Sequence, residues 1–103
     1  MSSISTHVLD ATTGRPAAGM PVRLESTGGS PVAEARTDAD GRVGTLATGL
    51  DAGDYRLVFD TGGYFPDTFY PQVVVTFTVT GPGQHYHVPL LLSPFAYSTY
   101  RGS

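Results

Sequence analysis

An all-β domain built as a two-sheet sandwich is what this sequence points to, and three of its features carry that expectation. Glycine (13 residues) and proline (8 residues) are spread in pairs and triplets along all 103 positions and cut the chain into short pieces. Within the pieces, apolar residues alternate with polar ones, the period of a half-buried strand. Alanine, leucine and glutamate nowhere build a long run at the helical period of 3.6 residues.

The first strand reads as Ser5-Thr6-His7-Val8-Leu9-Asp10, with Thr6 and Val8 on one face and His7 and Leu9 on the other. It stops at the turn-rich Thr12-Thr13-Gly14-Arg15-Pro16. Residues 21–27 alternate around Val22 and Leu24, Gly28-Gly29-Ser30-Pro31 turns the chain, and residues 32–37 return. Asp38-Ala39-Asp40-Gly41 makes the next turn, into residues 42–46. A further strand over 55–60 carries Tyr55, Leu57 and Phe59 on one side and halts at Thr61-Gly62-Gly63. Residues 64–71 are aromatic and twice interrupted by proline. The most β-branched run, 73–80, is followed by Gly81-Pro82-Gly83 and then by residues 84–92, which predicts an antiparallel hairpin. Pro94 ends the second arm, and residues 96–100 restart a strand. Seven or eight short strands at this spacing suit a sandwich.

A chain this short buries only about 60 to 70% of its extended surface, so residues 1–103 are read as a single domain. The net charge is −3, all six basic residues are arginines, and no run of like charge occurs. Nucleic acid and anionic membrane are therefore poor partners. The lack of cysteine removes disulfides, thiolate metal sites and a thiol nucleophile, and the lack of lysine removes Schiff-base chemistry. The longest apolar run, residues 88–92, is far short of the ~20 residues of a membrane helix, and the N-terminus lacks a signal-peptide layout. A soluble, cytoplasmic protein is expected.

His85 and His87 lie two apart, so an extended strand projects both from one face, about 6.6 to 6.8 Å apart along the chain. Pro89 and Leu91 continue that face. Tyr86, Val88, Leu90 and Leu92 form the opposite, core-facing stripe, which puts the histidine face outside the sandwich. A histidine, a proline and a leucine in line make an odd solvent surface and suit a cleft or an interface better. Three readings of the histidines stay open: an open zinc site built from His-x-His plus His7, ordinary surface or hydrogen-bonded residues, and metal-free acid–base work. Asp38 and Asp40 before Gly41 read as a solvated hairpin tip rather than a calcium loop. At the C-terminus, Tyr100-Arg101-Gly102-Ser103 sets an aromatic, a permanent cation and a flexible glycine together, which could serve a site or protect an edge strand.

Taken together, His7-Val8-Leu9-Asp10, Thr37-Asp38-Ala39-Asp40-Gly41-Arg42, Phe69-Tyr70-Pro71, His85-Tyr86-His87-Val88-Pro89-Leu90-Leu91-Leu92-Ser93-Pro94 and Tyr100-Arg101-Gly102-Ser103 closely resemble the 5-hydroxyisourate hydrolases, the transthyretin-related enzymes of urate breakdown. The likeness covers nearly the whole chain. The His-Tyr-His strand combined with the terminal Tyr-Arg-Gly-Ser is its specific part. It implies a transthyretin-like sandwich that assembles as a homotetramer, a dimer of dimers, with active sites in a channel between dimers. By motif it implies His7, Arg42, His87 and Ser103 as catalytic residues and Tyr100, Arg101, Pro89 and Leu9 as substrate contacts, with no metal and no cofactor. His85 is then peripheral. The alternation places His7, Leu9, His87, Pro89 and Leu91 away from the core, on the side where the resemblance sets the channel.

The implied reaction opens a ring of 5-hydroxyisourate to give 2-oxo-4-hydroxy-4-carboxy-5-ureidoimidazoline. His7 is expected to activate the water and His87 to handle the second proton transfer, or the reverse, while Arg42 anchors carbonyl groups. One departure stands out. Only Pro66-Asp67-Thr68 separates Tyr64-Phe65 from Phe69-Tyr70-Pro71, so the short helix of the family is expected to be reduced or absent. A non-catalytic carrier of a small aromatic ligand and a metal-dependent hydrolase are the rival readings.

Overall fold

Alternation in the first strand fixes which side of its sheet is buried, and the rest of the sandwich is arranged on that side. The computed structural model describes residues 2–102. Among these it has nine strands and one helical turn: β1 (Ser3–Asp10), β2 (Arg15–Pro16), β3 (Pro21–Ser26), β4 (Pro31–Arg36), β5 (Arg42–Thr48), β6 (Gly53–Phe59), α1 (Thr61–Tyr64), β7 (Val73–Val79), β8 (His85–Ser93) and β9 (Ala96–Thr99). The all-β sandwich is borne out. The strand beyond the expected seven or eight is β2, two residues of the presumed turn that pair with Leu9 and Asp10.

In the first sheet β1 is central. It runs parallel to β8 on one side and antiparallel to β5 and β2 on the other, and β9 flanks β8. The second sheet is antiparallel throughout, in the order β4-β3-β6-β7. Ile4, Val8, Val43, Tyr86, Val88, Leu90 and Leu92 of the first sheet meet Val22, Leu24, Leu57, Phe59, Val73 and Val79 of the second, and all are buried. Thr6 also lies on the inner face, where its hydroxyl donates to the Val88 carbonyl at 2.7 Å and leaves no orphan polar group.

The expected hairpin of residues 73–80 with 84–92 does not form. β7 pairs with β6 and β8 pairs with β1, so Gly81-Pro82-Gly83 carries the chain from one sheet to the other. Alternation marks the buried face of a strand but not its partner, and two apolar faces look the same side by side or opposed across a core. The five residues 80–84 reach about 17 Å when extended, enough to cross the ~10 Å between stacked sheets. Tyr86 secures the crossing, since its phenol oxygen accepts from the Thr80 amide at 3.0 Å.

The short helix is reduced to the single turn Thr61–Tyr64, as the brief connection required. Asp60 caps it by accepting from the Gly63 amide at 3.1 Å. Tyr64 then reaches across to β1 and donates to the buried Asp10 carboxylate at 3.3 Å. Burial and that neighbouring negative charge push the Tyr64 phenol above its ordinary value.

Gly41, at the tip between β4 and β5, has φ +74°, donates to the Asp38 carbonyl at 2.9 Å and accepts from the Val8 amide at 2.7 Å. A Cβ there would collide with the Val8 carbonyl. Gly41→Ala is expected to destabilise the chain by about 2–4 kcal/mol through left-handed strain plus that collision. Gly44→Ala, which meets open space, is expected to stay within about 0.5 kcal/mol. Urea unfolding of the two variants checks the contrast.

Candidate active site

Three strands present one outer face. In β1, Ser3, Ser5, His7 and Leu9 alternate with the buried Ile4, Thr6, Val8 and Asp10. Parallel register with β8 sets Ser3 beside His85, Ser5 beside His87, His7 beside Pro89 and Leu9 beside Leu91. Antiparallel register with β5 sets His7 beside Arg42. Between Thr6 and Ile4 that ladder breaks: Thr6 faces Val43 but Ile4 faces Ala47, so three residues stand opposite Ser5, with Gly44 and Thr45 exposed and Leu46 turned into the core. The bulge leaves room beside Ser5. A cleft of about 250 Å³ opens there, lined by Ser5, Thr6, Arg42, Val43, Gly44, His85 and His87.

The turn before β5 positions both His7 and Arg42. Asp38 accepts from the amides of Asp40 at 2.8 Å and Arg42 at 3.0 Å, and these two bonds, led by the one from Arg42, hold its carboxyl below the usual range. The turn thereby sets the Asp40 carbonyl 2.9 Å from Nε2 of His7. A carbonyl only accepts, so the proton of neutral His7 sits on Nε2 and the lone pair on Nδ1.

His87 is half-buried, and its Nδ1 lies 2.7 Å from Ser5 Oγ. Its pKa is lowered from the ordinary 6.5, first by burial, then by the positive charge of Arg42 and by the charge that His7 and His85 carry when protonated. His87 is therefore neutral at pH 7. The C-terminal segment packs against it: the Gly102 amide donates to the His87 carbonyl at 2.8 Å, and a Cβ on Gly102 would fall within 2.5 Å of the imidazole Cδ2. Only glycine can lie so close to that ring.

Of the residues singled out in the sequence, His7, Arg42 and His87 come together on this face. Leu9 and Pro89 flank them. Tyr100 and Arg101 do not enter the cleft; they border a second hollow of about 190 Å³ together with Phe77, Tyr86 and Val88. There the Arg101 guanidinium lies 4.7 Å from the centre of the Tyr86 ring and donates to Gln84 Oε1 at 3.1 Å. Ser103 lies outside the described residues. His85, expected to be peripheral, lines the cleft and contacts Ser5 Oγ through Nε2 at 2.7 Å. Ser3, Ser5 and the Asp40 carbonyl were not anticipated. Alternation back from His7 marks the two serines as outer-face residues, but only the β1–β8 register puts imidazoles beside them. Among the described residues, no group of three or more histidine, aspartate or glutamate side chains is arranged to hold a metal ion.

Residues 4–102 match the model of the HIUase/Transthyretin family. A 5-hydroxyisourate hydrolase of Salmonella typhimurium is 47% identical over 109 residues, covering 97% of this chain and 80% of the relative. Among solved structures, the 5-hydroxyisourate hydrolase of Klebsiella pneumoniae superposes with a TM-score of 0.92 at 38% identity, over the full length of both chains. Sea bream transthyretin in complex with thyroxine superposes with a TM-score of 0.88 at 33% identity, over 96% of this chain and 93% of its own.

An NMR titration of the imidazole protons is expected to find His87 below 6.5. Arg42→Gln is expected to raise that midpoint, because it removes the nearby cation while leaving the burial in place. The linked stability has a defined sign. The unfolded chain binds the proton more readily, so stability from His87 is complete above 6.5 and is lost as the pH falls through the depressed midpoint.

Proposed function

This chain belongs to the HIUase/Transthyretin family, and from that membership we propose that it hydrolyses 5-hydroxyisourate to 2-oxo-4-hydroxy-4-carboxy-5-ureidoimidazoline in urate degradation. The observation that supports this most strongly is the register that sets His7 beside Arg42 on one neighbour and beside the His87-bearing strand on the other. Two imidazoles and a permanent cation on one surface are the groups that such a ring opening needs.

In the proposed reaction a water oxygen adds to a ring carbonyl carbon while an imidazole takes the water proton. The Nδ1 lone pair of His7, left open by the bond from Nε2 to Asp40, suits that role. The carbonyl oxygen gathers negative charge, which the guanidinium of Arg42, a permanent cation, offsets. The C–N bond then breaks, and the leaving nitrogen receives a proton from Nε2 of His87, which takes one up at Nδ1 from solvent while His7 returns the water proton to solvent. Leu9 and Pro89 supply apolar walls. Ser103 is proposed to complete the site, with Gly102 seating the tail on His87 and with Tyr100 and Arg101 anchoring it at Tyr86 and Gln84.

The homotetramer and the cytoplasmic location belong to the same proposal. Supporting assembly, all four residues of β9 are exposed at the end of their sheet, and the apolar Leu9 and Leu91, each only partly buried, lie on the outer face beside the cleft. No helix among the described residues is long and apolar enough to cross a membrane. The likeness to a thyroxine-bound transthyretin favours one alternative, a carrier, which would bind a small aromatic ligand without opening it.

With urate and urate oxidase as the source of fresh substrate, ultraviolet absorbance is expected to show the intermediate vanishing faster when the protein is present. His7→Ala and His87→Ala are each expected to lower kcat/KM by about 10²- to 10⁴-fold with the fold intact. Deleting residues 100–103 is expected to abolish turnover while leaving the sandwich core folded. Saturable binding without acceleration would select the carrier. Light scattering is expected to give four times the chain mass.

A further inference from the structure

The outer face holds a continuous hydrogen-bonded row of which the reaction above uses only His87. Ser3 Oγ lies 2.6 Å from His85 Nδ1, His85 Nε2 lies 2.7 Å from Ser5 Oγ, and Ser5 Oγ lies 2.7 Å from His87 Nδ1. Each link joins two groups that can both give and take a proton. The row starts at Ser3, passes through the exposed imidazole of His85 and a hydroxyl on a residue only 6% exposed, and ends on the half-buried His87. It exists because two serines spaced two apart in β1 meet two histidines spaced two apart in β8, in parallel register.

From this row we infer that Ser5 and His85 form a proton relay between His87 and solvent, with Ser3 at its outer end. The inference rests on the hydrolytic reading and adds two positioning residues to it.

Two arrangements of the row satisfy every bond. In the first, His87 Nδ1–H donates to Ser5, the Ser5 hydroxyl donates to His85 Nε2, and His85 Nδ1–H donates to Ser3; His87 Nε2 then carries a lone pair. In the second, all three donors are reversed and His87 Nε2 carries the proton. A proton received at Nε2 converts the first arrangement into the second. The Nδ1 proton passes to Ser5, the Ser5 proton to His85 Nε2, the His85 Nδ1 proton to Ser3, and the Ser3 proton to water. One proton enters, one leaves, and no charge remains on His87. Giving the Nε2 proton to a leaving nitrogen runs the shift backwards and draws one proton in from solvent. His87 thus changes between base and acid without holding the imidazolium form, which its burial and its cationic neighbours disfavour.

The exposed His85 is the place to cut the row with least effect on folding. For His85→Ala at low buffer concentration, kcat is expected to fall about tenfold, less than the loss of the acid–base group itself. KM is expected to stay unchanged, and added imidazole is expected to restore kcat in a saturable way. An undiminished kcat in low buffer overturns the relay, as does a loss that imidazole does not relieve. A second measurement needs no substrate. Nitrogen-15 NMR of the imidazoles is expected to show Ser5→Ala shifting both His85 Nε2 and His87 Nδ1, and unchanged shifts at both would also overturn the relay. A parent protein that fails to consume 5-hydroxyisourate but shows the coupled nitrogen shifts rejects the hydrolase reading and leaves the hydrogen-bonded row standing.

Discussion

The parallel pairing of β1 with β8 is the constraint on which the rest depends. Eight consecutive residue pairs, from Ser3 with His85 to Asp10 with Leu92, hold these strands in one register. Because successive side chains point to opposite faces, a slip of one residue in either strand would carry a histidine strand's reactive face into the core and its leucines to the surface. The buried Ile4, Val8, Val88, Leu90 and Leu92 oppose such a slip, each taking on the order of 1.5–3 kcal/mol from leaving water. The same hydrophobic pattern that closes the sandwich therefore also aligns the serines with the imidazoles. Packing and chemistry are set by one ladder.

Much of this was legible in the chain itself, and the part that was not has a definite physical cause. Alternation marks the inner and outer faces of β1 and β8 correctly, so the places of His7, His87 and Leu9 outside the core follow from the residues alone. Partner choice was the weak point. Gly81-Pro82-Gly83 reads as a tight turn, yet it bridges two sheets, because local turn chemistry carries no information on which edge captures the next strand. Here the Ser3 amide bonds to the Gln84 carbonyl at 3.0 Å and β1 takes β8. Without that pairing, Ser3 and Ser5 are unremarkable polar residues and His85 has no visible link to His87. The position of Arg101 over Tyr86 was equally hidden, since it depends on how the tail folds back across β8.

Two glycines bring backbone where a side chain could not go. Gly41 lets the turn press against β1, which delivers the Asp40 carbonyl to His7 and starts β5 at Arg42. Gly102 lets the tail lie on the face of His87. Neither residue carries chemistry, yet each fixes one imidazole from a distant part of the chain. Asp38 shows the same division of labour: it lies at a solvated tip, as read from the sequence, and its carboxylate also locks the turn by gathering two amides.

The bulge in β5 separates two attachments to β1, at Arg42–Val43 and at Ala47–Thr48. Such a seam behaves as an expansion joint. Changes in length of the connection that follows Thr48 can be taken up at the exposed Gly44 and Thr45 before they reach the arginine. Evolution is thus free to vary that end of the molecule, remodelling contacts with neighbours or the outer rim, while the reacting groups keep their spacing.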